Sequence, residues 1–349
     1  MAARTLSGGG PRLAGGRRPD HRRLLRHHAG PHSGPAGGPG GRTVSYEAIR
    51  ERLARGETVL LDGAIGTEIL RRQVSWADHQ LQRRPEVVQA IHRDYILAGA
   101  DVITTNTFQL TRRSFLNHFR DLAHLRHIGA PDLETRWRDL IRAGVRLAQA
   151  ARAAAAGGRP VAIAGSLTTL EWCFRPDLAP SPAAAEAEYR ETMAVFAEAG
   201  VDLLLIETVN AIREAVAAAR AARSLGLPYW VSFVPDEEGR LFTGETLAEA
   251  VQALAPLAPE ALLLNCAPPE DITRGLAVLA PVAPCPVGVY PHIGRFDPPE
   301  WLFTDEYPPE RYAALGQQWR AMGARILGGC CGTTPDHIAA LHRRLRPTA

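Results

Sequence analysis

The strongest constraint on this chain is an eightfold alternation: a short β-rich apolar run, a loop carrying Gly, Pro, Asn or Thr, then a long amphipathic stretch. The apolar runs are residues 58–62, 101–105, 160–164, 202–207, 229–234, 261–265, 286–290 and 325–328. Helical candidates follow near 86–98, 133–156, 183–199, 211–224, 247–257, 270–279, 309–322 and 335–345. Runs such as 201–206 and 261–264 are almost wholly apolar, as a parallel sheet covered by helices requires. Eight strand–helix units predict an α/β chain closed into a single (β/α)8 TIM barrel, for which ~250 residues plus insertions is typical. A doubly wound open sheet is the weaker reading, because no Gly-x-Gly-x-x-Gly follows the first run.

Residues 1–43 stand outside the alternation. They hold eight arginines against one acid, Asp20, and are crowded with Gly and Pro, so they bury too little surface to offset chain entropy. A disordered extension over 1–43 and a barrel over 44–349 are the predicted organisation. A dispensable extension is the simpler reading of the basic segment than a transit peptide or a nucleic-acid arm.

The extension also accounts for the formal charge of +3, and the remainder is net negative, with no electrostatic case for nucleic acid. No apolar run reaches the roughly 18 residues of a membrane span, and no secretory leader is recognisable. With five cysteines, an odd number, the expectation is a cytoplasmic chain with reduced thiols. All 40 basic residues are arginine, which excludes Schiff-base chemistry on a lysine.

A barrel carries its chemistry at the C-terminal ends of its strands. Those ends read Asp62-Gly63-Ala64-Ile65-Gly66-Thr67, Thr104-Thr105-Asn106-Thr107-Phe108-Gln109, Gly165-Ser166, Glu207-Thr208, Asn265-Cys266, Tyr290-Pro291-His292 and Gly328-Gly329-Cys330-Cys331-Gly332-Thr333. Cys266, Cys330 and Cys331 thus share one rim. Adjacent cysteines reach a common point only where the strand has ended and the backbone turns. The flanking glycines are expected to permit that turn, and Thr334 and Pro335 to start the last helix. Three thiolates suit Zn²⁺ and leave a fourth tetrahedral position open, the mark of a catalytic site. Such an ion is a poor activator of water but holds a substrate thiol as thiolate. Buried packing is the competing reading of the cysteines.

A thiol substrate needs its other groups held. Asp62 and Glu207 are placed to receive an ammonium, and the amides of Gly63, Ala64 and Ile65 to receive a carboxylate. Together these describe an amino-acid thiol. For Asp62 the bland alternative is a turn-forming Asp-Gly. Glu207 ends an apolar run, where an unpaired carboxylate is costly.

These motifs, with the 99–108 stretch and Ile206-Glu207-Thr208, resemble the homocysteine S-methyltransferase family over about residues 46–345. That family includes the homocysteine module of cobalamin-dependent methionine synthase, the betaine enzymes and the S-methylmethionine enzymes. The resemblance implies methyl transfer to homocysteine, giving methionine. It implies one Zn²⁺ per chain on Cys266, Cys330 and Cys331, with Asp62 and Glu207 on the ammonium and the amides after Asp62 on the carboxylate.

Cys173 and Cys285 match no ligand position and read as packing. Trp76 is the expected donor-side residue, with Trp172, Tyr290 and His292 as further candidates, since an aromatic face attracts a methylated cation. Where betaine enzymes have tyrosines, Gln109 and Thr208 stand here, so a small sulfonium such as S-methylmethionine is the expected donor. A separate methyl-corrinoid protein is second and betaine third. The sequence stops shortly after the eighth helix, so no fused corrinoid or folate domain is expected. A zinc- or thiol-binding barrel without activity is the non-enzyme alternative, and a metallohydrolase is weaker still, because its ligands are normally His and carboxylate.

Overall fold

The computed structural model describes residues 44–74, 80–116, 123, 127, 132–297 and 300–346, all within the compact unit Gly37–Ala349. The predicted extension 1–43 lies outside the described residues, as does Trp76. Eight parallel strands form the barrel: β1 (Val59–Leu60), β2 (Val102–Thr104), β3 (Ala162–Leu167), β4 (Leu203–Val209), β5 (Tyr229–Phe233), β6 (Ala261–Asn265), β7 (Val287–Tyr290) and β10 (Ala324–Leu327). Neighbours run in chain order from β2 to β7, then β10, then β1. A parallel bridge between Leu61 and Val102 joins β1 to β2 and closes the ring. The two remaining strands, β8 (Arg295–Asp297) and β9 (Glu300–Leu302), make a hairpin in the loop after β7.

Strand alternation divides the apolar residues between two cores. Val59, Leu61, Leu203, Leu205, Trp230, Leu263 and Ile326 meet inside the ring, while Leu60, Ile163, Leu204, Val231 and Leu264 face the surrounding helices. Both faces are therefore buried, which explains why the strands read as apolar runs rather than alternating ones.

The helix Val44–Ala54 was not foreseen; its apolar pattern is only one short stripe. It inserts Tyr46, Ile49 and Leu53 into the inner core, under the strands. Tyr46 Oη donates to Glu260 Oε2 at 2.8 Å and accepts from Trp230 Nε1 at 3.1 Å. Burying Ile49 alone contributes ~1.5–3 kcal/mol.

Two strand starts repeat one device. Gly99 (φ +108°) and Gly200 (φ +81°) end the helices Pro85–Ala98 and Pro182–Ala199, and each is followed by one apolar residue and an aspartate. Asp101 accepts from Leu60 N and Asp202 from Ile163 N, each at 2.7 Å, so each carboxylate ties its strand to the one before. Burial pushes the Asp101 carboxyl up, but hydrogen bonds from Arg346 and Arg52 outweigh it and hold it below its ordinary value. This face of the barrel serves stability, leaving the opposite face for chemistry.

Candidate functional site

At the end of β1 the Asp62 carboxylate is buried, accepting from Thr104 N at 2.7 Å and Thr104 Oγ1 at 3.2 Å. Burial raises its pKa well above the usual carboxylate range, against the Thr104 hydrogen bonds, and the charge of Glu207 pushes the same way. Glu207, at the end of β4, is also buried; Ser166 Oγ donates to its Oε1, and Tyr290 Oη to its Oε2 at 3.2 Å. Burial pushes Glu207 up to about 7, opposed by those two donors and aided by Cys331. Among the described residues no arginine pairs with either carboxylate. The described residues of the site therefore place two buried acids together, the charge of Glu207 acting on Asp62, with no cationic side chain paired to either.

The threonines after β2 set this geometry. Thr104 holds Asp62, Thr105 Oγ1 accepts from Ser166 N at 3.0 Å, and Thr107 Oγ1 donates to Ser166 O at 2.7 Å. Ser166 in turn holds Glu207. The motif was visible in the sequence as polar residues at a strand end, but its division of labour was not.

The three rim cysteines come together: Cys266 Sγ lies 2.7 Å from Cys330 Sγ, Cys330 Sγ lies 3.9 Å from Cys331 Sγ, and all three sulfurs fall within 4.8 Å of one another. Each is half-buried, facing the barrel mouth. Hydrogen bonds from the Cys266 and Cys330 thiols push the Cys331 thiol well below its ordinary range, against the effect of burial. Tetrahedral Zn–S bonds near 2.3 Å put sulfurs about 3.8 Å apart. The 3.9 Å pair matches, and the 2.7 Å pair would have to open by about an ångström to hold a metal. The donor set fits the ion: three thiols and, among the described residues, no fourth protein ligand in the group.

Glycine serves this loop in two ways. Gly332 (φ +87°) needs the left-handed region, and a Cβ there would run into Ile293 O. Gly328 and Gly329 have no positive φ; they are small so that Leu61 and Thr333 can approach, a correction to the expectation of pure backbone freedom. Gly63 is equally enclosed, since a Cβ would lie 2.8 Å from both Tyr95 Oη and Thr333 Oγ1. Thr333 Oγ1 accepts from Ala64 N at 3.3 Å and donates to Cys330 O at 2.7 Å, while Gly329 N donates to Asp62 O at 3.0 Å. The amide run Gly63–Ile65 is thus laced to the cysteine loop. Tyr95 Oη donates to Ala64 O at 2.8 Å, and nothing in the sequence marks this residue of an apolar helical stripe as a support of the site.

The remaining candidates divide. Tyr290 is buried and donates its hydroxyl to Glu207. His292 packs edge-on against Trp301 at 5.5 Å and borders a cavity of about 400 Å³ under the β8–β9 hairpin. Trp172 is half exposed beside Phe174 at 6.1 Å, and Phe174 stacks on Phe242 at 5.8 Å. Cys173 and Cys285 lie outside the sulfur cluster, and burial pushes their thiols up to about 12 and about 11. Among the described residues no helix is long and apolar enough to cross a membrane.

A family model described as homocysteine S-methyltransferase matches residues 59–345. The chain is 32% identical to an Escherichia coli homocysteine S-methyltransferase, over 85% of this chain and 98% of that one. It is 29% identical to Mycobacterium leprae methionine synthase, over 79% of this chain but only 23% of the larger protein. The crystal structure of the Escherichia coli homocysteine methyltransferase MmuM in its metallated form superimposes with a TM-score of 0.70 at 31% identity, covering 85% and 99% of the two chains.

Proposed function

This chain belongs to the homocysteine S-methyltransferase family, and from that membership we propose that it moves a methyl group from a small sulfonium donor to the sulfur of homocysteine, giving methionine. The observation that carries the reading is the pair of buried carboxylates, Asp62 and Glu207, unpaired with arginine among the described residues and beside a cluster of three thiols. Two such acids are costly unless a cation joins them. The ammonium of an amino acid supplies it, and the amides of Gly63 and Ile65 supply a seat for its carboxylate, with the Ala64 amide between them already donating to Thr333 Oγ1. That leaves the thiol end directed to the sulfurs.

Cys266, Cys330 and Cys331 would hold one Zn²⁺ per chain, and its chemistry is to keep the substrate sulfur as a nucleophilic thiolate near neutral pH. The metallated form of the MmuM relative supports a metal here. Asp62 and Glu207 orient the substrate, with Thr104, Ser166 and Tyr290 fixing both acids. Displacement forms a sulfur–methyl bond and breaks the donor's carbon–sulfonium bond, releasing a neutral thioether; alignment accounts for much of the rate. Free thiols suit a reducing compartment, and the cytoplasm is our reading of location.

S-Methylmethionine is the donor we favour. Thr208 is not aromatic and its hydroxyl accepts from Asn265 Nδ2, so no tyrosine stands at this position to help enclose a quaternary ammonium. Trp76 remains the proposed donor-side aromatic. The methionine synthase relative favours a second reading, a methyl-corrinoid protein as donor. Zinc-loaded protein given homocysteine and each free donor in parallel tests the order. Fast turnover with betaine would reverse it, and turnover with no small donor would favour the corrinoid reading.

A further inference from the structure

Two residues at the rim hold backbone conformations that side-chain-bearing residues rarely adopt: Thr208 at φ +62° and Cys266 at φ +52°. For a β-branched residue such as Thr208 the left-handed region is a genuine outlier. One residue follows Glu207 at the end of β4; the other is a member of the sulfur cluster just past β6.

A single side chain spans both strand ends. Asn265, immediately before Cys266, is fully buried. Its Oδ1 accepts from Thr208 N at 3.1 Å and from Ser232 Oγ at 2.7 Å, and its Nδ2 donates to Thr208 Oγ1 at 2.9 Å. One carboxamide thereby ties β4, β5 and β6 together.

The strand pairing shows why β4 needs the tie. Ile206 pairs with Val231 and Val209 with Phe233, so three steps along β4 stand against two along β5. This is a bulge, and it lets Glu207 face the mouth while Val209 returns to the outer core. A bulge takes its extra residue out of the ladder, and the Thr208 amide finds its acceptor in Asn265 instead. Only a carboxamide offers an acceptor and a donor at this spacing: aspartate lacks the donor and would bury a charge, and serine is too short.

We propose that Asn265 is a positioning residue that fixes the Glu207 carboxylate and the Cys266 sulfur relative to each other, so that both ends of one amino-acid thiol are gripped at a set separation. The inference rests on the reading of the site given above. It assigns the grip to a residue that touches neither the substrate nor a metal.

The test compares wild type with Asn265→Ala, Asn265→Asp, Thr208→Gly and the double variant Asn265→Ala/Thr208→Gly, all loaded with zinc. Readouts are the KM for homocysteine, the rate at which a chelator strips zinc, and Tm. Asn265→Ala is expected to raise KM and speed zinc release, each by about tenfold or more, and Asn265→Asp to do so less. Glycine adopts a positive φ freely, so the double variant should recover a KM within about threefold of Thr208→Gly alone.

Tyr189→Phe, which removes a buried hydrogen bond to Glu214 away from the site, should lower Tm and move neither site readout. A site-neutral Asn265→Ala with a lowered Tm would overturn the proposal. So would a double variant as impaired as Asn265→Ala. If the alanine variant does not fold, the aspartate variant decides by the same two readouts. A wild type that takes up no zinc and turns over no homocysteine would sink the reading of the site and this inference together, whereas a working wild type with unaffected Asn265 variants sinks the inference alone.

Discussion

Tyr290 Oη donates to Glu207 Oε2 at 3.2 Å, joining β7 to β4 across the barrel mouth. The bond favours the charged carboxylate against the burial that pushes Glu207 up to about 7. A protonated Glu207 cannot pair with an ammonium. The KM for homocysteine should therefore rise as pH falls below about 7, approaching tenfold per unit. Losing the Tyr290 donor in Tyr290→Phe should move that midpoint upward, and Glu207→Gln should raise KM at every pH and flatten the profile while zinc stays bound. The check is KM from about pH 5.5 to about pH 8.5; an unchanged profile in Glu207→Gln would remove Glu207 from substrate binding.

Metal content should follow the three clustered sulfurs alone. Cys266→Ala, Cys330→Ala and Cys331→Ala should each lose zinc, whereas Cys173→Ala and Cys285→Ala should retain it, since both lie outside the cluster. The three apo variants should keep a native circular dichroism spectrum, because the two apolar cores do not depend on the ion. Elemental analysis decides, and full zinc occupancy in Cys331→Ala would contradict the site.

Gly332→Ala should be worse than a positive-φ substitution elsewhere. Gly157 (φ +58°) has open space around it, so Gly157→Ala carries backbone strain alone, of order 1 kcal/mol. Gly332→Ala adds a collision with Ile293 O and should lower stability by about 3 kcal/mol while weakening zinc retention. Denaturant midpoints and chelator competition measure both, and equal behaviour of the two variants would show that the close approach does not matter.

Removing residues 1–43 should leave zinc content and activity intact, whereas removing 1–54 should not. The second deletion takes Tyr46, Ile49 and Leu53 out of the inner core and leaves Trp230 Nε1 without its partner. A loss of several kcal/mol is expected from those side chains, read as a large fall in Tm or as insoluble protein. A longer deletion as stable as the shorter one would show that the helix is an accessory.

The barrel was legible because its signal is periodic and repeated. The apolar run 261–265 coincides with β6 and the helical stretch 335–345 with Pro335–Leu345, and most other elements differ only by a residue or two at their ends. Short pieces were not legible. Gly66–Arg71, Arg112–Leu116 and the β8–β9 hairpin span too few residues to establish a period, and their form depends on the rim against which they pack. At the site, residue types at strand ends pointed to the three cysteines and the two acids. The supports escaped because they act through tertiary contacts: nothing in the letters Asn265-Cys266 says that the amide holds Thr208, and Tyr290 read as an aromatic wall rather than as a hydrogen-bond donor.

The pairing of β1 with β10 has a consequence for how the molecule is made. Gly332 N donates to Thr67 Oγ1 at 2.9 Å across 265 residues of sequence, and the loops after β1 and β10 are stitched by Thr333 as well. During synthesis Asp62, Glu207 and Cys266 leave the ribosome while Cys330 and Cys331 are still untranslated, and β1 and β7 wait with open edges for the strand that comes between them. Open strand edges are the hazard of such a nascent chain. The cysteine-bearing rim and the last seam of the barrel are one structure, so a chain stalled before β10 lacks both the closed ring and two of the three clustered sulfurs.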